Sequence, residues 1–228
     1  IMKIAKDNNL KVIEDAAPAL GSLFKNKMAG TFGDFGCYSF HGRKTITTGE
    51  GGAIVSNNKE LIEKAKSMAI FGSINQGHIH SYVTLGFNYK LSEINAAIGL
   101  AQMDKIDKVI EKRRKLAYYY NEKLEKVDFI ETPFEDKKRK HTYQSYVCML
   151  NKKINRNEVI EKLQKCRIQA QIGTYSSCIQ PVYKSQHDCQ NSIDIFKSSL
   201  ALPMFYELEF EDIDFIVNKT KYIIRNLL

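Results

Sequence analysis

The sequence predicts an α/β protein built from two units. Short apolar strand signals alternate with amphipathic helical stretches along the whole chain. The composition also shifts near Val127, where Thr132-Pro133 and the basic run Lys137-Lys138-Arg139-Lys140 precede a second set of strand and helix signals. The expected division is a large unit over residues 1–105, a linking helix over 106–126, and a small α/β unit over 127–228.

Each element has a local reason. Ile1, Ile4 and Ala5 share a helical face without a Met or a capping residue before them, which reads as a helix entered midway with a segment expected upstream. Leu10 to Ile13 reads as a strand running into Glu14-Asp15. Ligands of open α/β sheets sit at the carboxyl ends of strands, which makes Asp15 a ligand-facing candidate; an aspartate capping the next element is the structural alternative. Asn26 to Asp34 is turn-like.

The stretch Gly36 to Gly52, GCYSFHGRKTITTGEGG, organises the rest. A strand at Cys37–Phe40 enters a turn with Arg43 and Lys44, and Gly49 to Gly52 lead back into the strand Ala53-Ile54-Val55. A lysine in a tight loop between strands is a candidate for a desolvated amine able to form a Schiff base. A surface hairpin with an incidental lysine fits the same spacing.

Asn57 with Glu60 has capping-box spacing and starts a helix through Leu61, Ala65, Met68 and Ala69. Phe71 to Ser81 reads as a long loop, and its His78 and His80 are too few for a metal site. From Ser92 the apolar positions Leu91, Ile94, Ala97, Ile98 and Ala101 lie on one helical face, and the period continues to Leu124. The second unit reads as a strand at Tyr143–Leu150, a helix from Asn155 to near Cys166, a strand at Arg167–Ile172, a loop through Tyr183, and a last helix with Ile213, Ile216, Val217, Ile224 and Leu227 on one face.

Composition excludes several function classes. The 228 residues, 43% hydrophobic, suit a globular protein. The 34 basic and 26 acidic residues leave +8, much of it lysine along helices. Nucleic-acid binding needs basic residues clustered with aromatic or groove-reading elements; a solvated lysine surface is expected instead, with neither nucleic acid nor membrane as partner. Five cysteines without a CxxC pair argue against a disulfide framework or zinc site and for a reducing compartment. With no signal peptide and no apolar run near the ~20 residues of a membrane span, a cytoplasmic location is expected.

Four segments in order carry a resemblance: IEDAAPALGS (residues 13–22), GTFGDFGCYSFHGRKTITTGEGG (30–52), LGFNYKLSEINAAIGLAQM (85–103) and SLALPMF (199–205). Together they resemble the sugar aminotransferases of the DegT/DnrJ/EryC1/StrS family, pyridoxal 5'-phosphate (PLP) enzymes of fold type I. The wording GRKTITTGEGG, with HTYQSYV at residues 141–147, further resembles the GDP-perosamine synthase branch. The resemblance implies a partial large PLP domain followed by a small C-terminal α/β domain. It implies amino transfer from glutamate to a keto nucleotide-sugar, of which GDP-4-keto-6-deoxymannose is the instance that branch suggests, for polysaccharide or glycan biosynthesis.

By resemblance Lys44 is the Schiff-base lysine and proton shuttle, Asp15 the partner of the pyridinium nitrogen, and Ser39 the phosphate-binding serine. Asn88 and Lys90 stand where members reach across a homodimer interface toward the neighbour's phosphate and nucleotide-sugar, and His141 and Tyr143 are further substrate-contact candidates. Two positions depart from the family pattern: Pro18 stands where many members carry Gln or Glu, and Cys178 where a histidine is frequent. The family's upstream segment, which supplies part of the phosphate cradle and an aromatic ring over the cofactor, is expected beyond this sequence.

Three other readings compete with this one. Dehydratases of the same family replace the lysine by histidine, and Lys44 argues against them. A P-loop needs glycine directly before its lysine, where Arg43 stands. A truncated, non-catalytic binding or structural product is the remaining alternative from another class.

Overall fold

The computed structural model describes residues 1–76, 78–183 and 189–228. The chain divides into one unit of residues 1–110 with 136–142 and a second of residues 111–135 with 143–228.

The first unit opens with α1 (Met2–Asp7) and β1 (Ile13–Asp15), followed by the hairpin strands β2 (Leu23–Phe24) and β3 (Lys27–Met28). Then come β4 (Phe35–Ser39), β5 (Gly52–Val55), α2 (Lys59–Ala69), β6 (Ser73–Gln76), β7 (Ile79–Tyr82) and α3 (Glu93–Met103), leading into α4 (Ile106–Leu124). The main sheet has the order β1-β4-β5, with β1 parallel and β5 antiparallel to β4. In β4 the burial alternates, Gly36 and Tyr38 being buried and Phe35, Cys37 and Ser39 half-buried. Gly36 is required by close approach: a Cβ there would lie 1.9 Å from the Gly30 carbonyl oxygen.

Side-chain oxygens hold the element ends. Asn58, one residue later than expected, accepts from Leu61 N–H at 3.2 Å to start α2, and Ser92 accepts from Asn95 N–H at 3.2 Å to start α3. The expected loop at Phe71–Ser81 instead contains the antiparallel hairpin β6–β7, in which Asn75 faces His80. Polar residues on both faces of these strands hide the two-residue period that marks a half-buried strand.

The second unit begins within α4, from Glu111, and continues through β8 (Ile130–Glu131). The next strand, β9 (Arg139–Lys140), belongs to the first unit, because it pairs antiparallel with β2, Leu23 facing Lys140 and Phe24 facing Arg139. The second unit resumes with β10 (Tyr146–Leu150), α5 (Arg156–Lys165), β11 (Gln171–Ile172), α6 (Gln190–Ser198), β12 (Ser199–Leu202) and α7 (Phe210–Arg225). The division therefore differs from a 106–126 linker and a continuous 127–228 unit. Most of α4 buries Leu116, Ala117, Tyr120 and Leu124 in the second core, and residues 136–142 follow their pairing partner.

The second sheet has the order β11-β12-β10-β8. Leu200 and Leu202 of β12 join Val159 and Leu163 of α5 and Ile213, Val217 and Ile224 of α7 in its core. Tyr120 stacks on Tyr146 with ring centroids 4.5 Å apart. The expected strand at Arg167–Ile172 contracts to two residues, while β12 and α6 were not expected. A four-residue apolar run such as SLAL shows no period that separates strand from helix until a partner strand is present. Among the described residues no helix is long and apolar enough to cross a membrane.

Leu163→Ala is expected to destabilise the protein by about 2–5 kcal/mol, the range for emptying a fully buried leucine site, as measured by urea unfolding. Asp34 accepts from Val12 N–H at 2.9 Å and from Lys11 Nζ at 3.1 Å, and these donors hold its carboxyl below the ordinary carboxylate value. A lowered folded-state value contributes stability that is present above the unfolded value near pH 4 and fades as pH falls further. Asp34→Asn is therefore expected to flatten the acid limb of a stability–pH curve.

Candidate active site

Adjacent residues of a strand point to opposite faces, so Glu14 and Asp15 cannot share an environment. Glu14 faces inward, where its Oε1 accepts from Phe32 N–H at 2.5 Å and Gly33 N–H at 2.6 Å and its Oε2 accepts from Gly30 N–H at 2.8 Å. Tyr38, on the same face of the neighbouring strand, donates its hydroxyl to Ala29 O at 2.5 Å; burial first, then the Glu14 carboxylate, pushes its phenol up. These contacts pin the Gly30–Gly33 loop against the sheet. The sequence signal for Glu14 is only that two neighbouring acids on one strand face opposite sides, so one of them turns inward.

Asp15 takes the opposite, exposed face. The parallel register pairs Asp15 with Cys37, and the antiparallel register pairs Cys37 with Ile54 and Ser39 with Gly52. Asp15, Cys37, Ser39 and Ile54 therefore share one face, with Asp15 and Ser39 at the carboxyl ends of adjacent parallel strands. Two residues of strand offset them by roughly 7 Å along the strand direction. One Asp15 oxygen, Oδ1, accepts from Ala17 N–H at 3.1 Å. Ile13 and Ile54 flank this face at 67% and 56% exposure.

Past Ser39 the chain enters a braced turn. Ser39 Oγ accepts from His41 N–H at 3.3 Å, Arg43 N–H donates to His41 Nδ1 at 3.2 Å, and Lys44 N–H donates to His41 O at 2.9 Å. The return is tied by Thr48 N–H to Phe40 O at 2.9 Å and by Thr47 N–H to Gln102 Oε1 of α3 at 3.1 Å, with Ile46 and Thr48 buried. Gly51 has φ +148°, and a Cβ there would lie 2.8 Å from both Leu91 Cδ1 and Thr48 Oγ1. Lys44 thus stands half-buried on a turn whose two ends are fixed.

The other candidates lie on separate segments. Asn88 and Lys90 are exposed on a stretch held to the end of α2, with Asn88 bridged to Ile70 and Tyr89 N–H donating to Ala69 O at 2.9 Å. His141 is exposed beyond β9, next to buried Thr142, whose Oγ1 lies 3.1 Å from Ser22 Oγ. Tyr143 departs from expectation as a substrate contact: it is 1% exposed, edge-on to Tyr118, and its backbone carbonyl accepts from Arg113 Nη1 at 3.3 Å. Burial pushes its phenol up to about 12, and its ring packs in the core of the second unit. Among the described residues no group of three or more His, Cys, Asp and Glu side chains could hold a metal ion.

The donor set suits a phosphorylated, cationic aromatic ring: an anion on the sheet face, a hydroxyl that still has a proton to donate, and an amine on the following turn. Residues 1–221 match the DegT/DnrJ/EryC1/StrS aminotransferase family. The chain belongs to that family. It is 33% identical over 222 residues to UDP-4-amino-4,6-dideoxy-N-acetyl-beta-L-altrosamine transaminase of Campylobacter jejuni, covering 95% of this chain and 59% of that protein. It is 34% identical over 218 residues to GDP-perosamine synthase of Escherichia coli O157:H7, again covering 95% and 59%. Helicobacter pylori PseC, an aminotransferase involved in the biosynthesis of pseudoaminic acid, superposes with a TM-score of 0.91 at 27% identity, covering 99% of this chain and 62% of that one. The fold is therefore the α/β fold type I of PLP-dependent aminotransferases, and the chain spans about three fifths of the length of these family members.

Glu14→Gln replaces an acceptor of three backbone bonds by a group with only one acceptor oxygen. Amide exchange at Gly30, Phe32 and Gly33 is expected to accelerate, with a stability loss of about 1–3 kcal/mol. Unchanged protection at these amides would show that the carboxylate does not hold the loop.

Proposed function

We propose that this chain carries the lysine-bearing part of a PLP-dependent nucleotide-sugar aminotransferase, which moves an amino group from glutamate to a keto sugar. The reading rests on Asp15 and Ser39 sharing one sheet face, at the carboxyl ends of adjacent parallel strands, with Lys44 on the braced turn five residues beyond Ser39. The names of the family members favour a nucleotide-linked 4-amino-6-deoxy sugar as product class, and GDP-4-keto-6-deoxymannose is the substrate the perosamine-type wording favours.

Bound PLP supplies an electron-withdrawing ring that acidifies the substrate carbon bearing nitrogen. Asp15 keeps a proton on the ring nitrogen by pairing its carboxylate with that N–H⁺. Ser39 donates its hydroxyl to the phosphate, and the turn that follows fixes the hydroxyl's position. Lys44 would hold the cofactor through its Nζ, and the same amine, freed from it, would serve as the base that takes a proton from the substrate carbon and as the acid that gives it back. The rigid ends of its turn limit how far that amine travels. Asn88 and Lys90, exposed at the head of α3, are the proposed contacts toward a second subunit's phosphate and nucleotide, and His141 a contact for the sugar.

In the full-length protein, Lys44→Ala is expected to remove the visible absorbance characteristic of lysine-bound PLP and to lower kcat by at least about 10²–10⁴-fold, the worth of a positioned proton-transfer group. Ordinary turnover in that variant would refute the role of Lys44. Asp15→Asn is expected to retain the fold and bound PLP while losing most of kcat, with circular dichroism and steady-state kinetics on a panel of keto nucleotide-sugars as the measurements.

A further inference from the structure

The pairing of β2 with β9 gathers charges that the sequence keeps more than a hundred residues apart. Leu23 faces Lys140, Phe24 faces both Arg139 and Lys27, and Lys25 N–H donates to Lys138 O at 2.7 Å. The small sheet β3-β2-β9 and its turns thereby carry Lys25, Lys27, Lys137, Lys138, Arg139 and Lys140, all exposed. One acid lies within the same stretch, Asp136, and it is engaged by Arg139 Nη1 at 3.1 Å. None of the five lysines has an ion pair among the described residues.

Two further features narrow the anion that this surface suits. Phe24 and Met28 are 39% and 41% exposed among the cations. Cations stand beside the aromatic rings: Lys25 Nζ lies 5.6 Å from the Phe24 ring centroid, Arg139 Cζ 5.9 Å from the same centroid, and Lys27 Nζ 4.7 Å from that of Phe32. One exposed phenylalanine on strands of two residues is not the row of aromatic platforms on which successive bases stack. Three strands of two residues each form an open surface, whereas small phosphorylated ligands are taken in walled clefts. Exposed apolar side chains set among several cations match the boundary between headgroup phosphates and acyl chains.

We propose that this basic sheet is a docking surface for an anionic lipid bilayer. The cations engage headgroup phosphates across an area, and Phe24 and Met28 enter the interfacial layer. The attraction is electrostatic and additive over several lysines, so it weakens as salt shortens the Debye length.

The test uses the full-length protein and sedimentation with vesicles of phosphatidylcholine alone or mixed with phosphatidylglycerol. Binding is expected to the mixed vesicles at low salt, with release at high salt and none to phosphatidylcholine alone. Lys25→Glu, Lys27→Glu, Lys138→Glu and Lys140→Glu together are expected to weaken it by at least about a hundredfold. The same four positions changed to Gln should weaken binding by a smaller factor, with melting unchanged in both variants. A control carrying Lys64→Glu, Lys108→Glu, Lys153→Glu and Lys165→Glu changes net charge equally and is expected to retain binding. The inference is overturned if the unaltered protein fails to bind mixed vesicles, if the sheet variants still bind, or if the control loses binding equally. It is also overturned if a single-stranded oligonucleotide or a nucleoside diphosphate binds more tightly than the vesicles and loses its affinity in the sheet variants.

Discussion

The parallel pairing of β1 with β4 is the constraint on which the candidate site depends. It sets Asp15 beside Cys37, two residues before Ser39, so an acid and a hydroxyl from distant segments meet on one face. A one-residue slip would turn Asp15 inward and Glu14 outward, leaving a carboxylate on the wrong side of the sheet. Two interactions oppose such a slip. Glu14 gathers three N–H groups from the Gly30–Gly33 loop, and Asp34 accepts from Val12 N–H at the other end of the pair. Each would leave buried or half-buried donors unpaired if the register moved, which costs more than the bonds themselves contribute.

The Lys44 turn is fixed by a different means. The carbonyl of Phe40 accepts from both Thr48 N–H and Thr47 Oγ1, while Thr47 N–H reaches Gln102 on α3. Fixing both ends of a short loop removes conformational freedom that the backbone carrying Lys44 would otherwise have to lose on binding. The Glu14 cradle, the braced turn and the close approach at Gly36 thus share one consequence: side chains on the exposed face are held by backbone rather than by each other. Loops of this kind on a rigid sheet are where binding and catalytic groups collect.

Much of this was legible in the residues. Asp15 at a strand's carboxyl end, the glycine-rich return after Lys44, and the helix starts near Asn57, Ser92 and Asn155 each follow from local chemistry. In the structure the caps fall at Asn58, Ser92 and Asn155. Other features were hidden for identifiable reasons. The β6–β7 hairpin lacks apolar alternation, β12 is too short to show a period, and Glu14 looked like a second acid beside Asp15. Tyr143 carried no mark of its burial, because the core that covers it comes from helices and strands far along the chain.

The sequence by itself determined the elements with strong periods or caps and, through ordered motifs, the family. Those properties depend on neighbours within a few residues or on whole segments read in order. Tertiary structure alone decided which residues share a face, that residues 136–142 belong to the first unit, and that Lys25 and Lys27 stand beside the run from Lys137 to Lys140. The physical reason is that strand register and sheet order are set by backbone hydrogen bonds between distant segments, which are nearly indifferent to side-chain identity and so leave little trace in the local sequence.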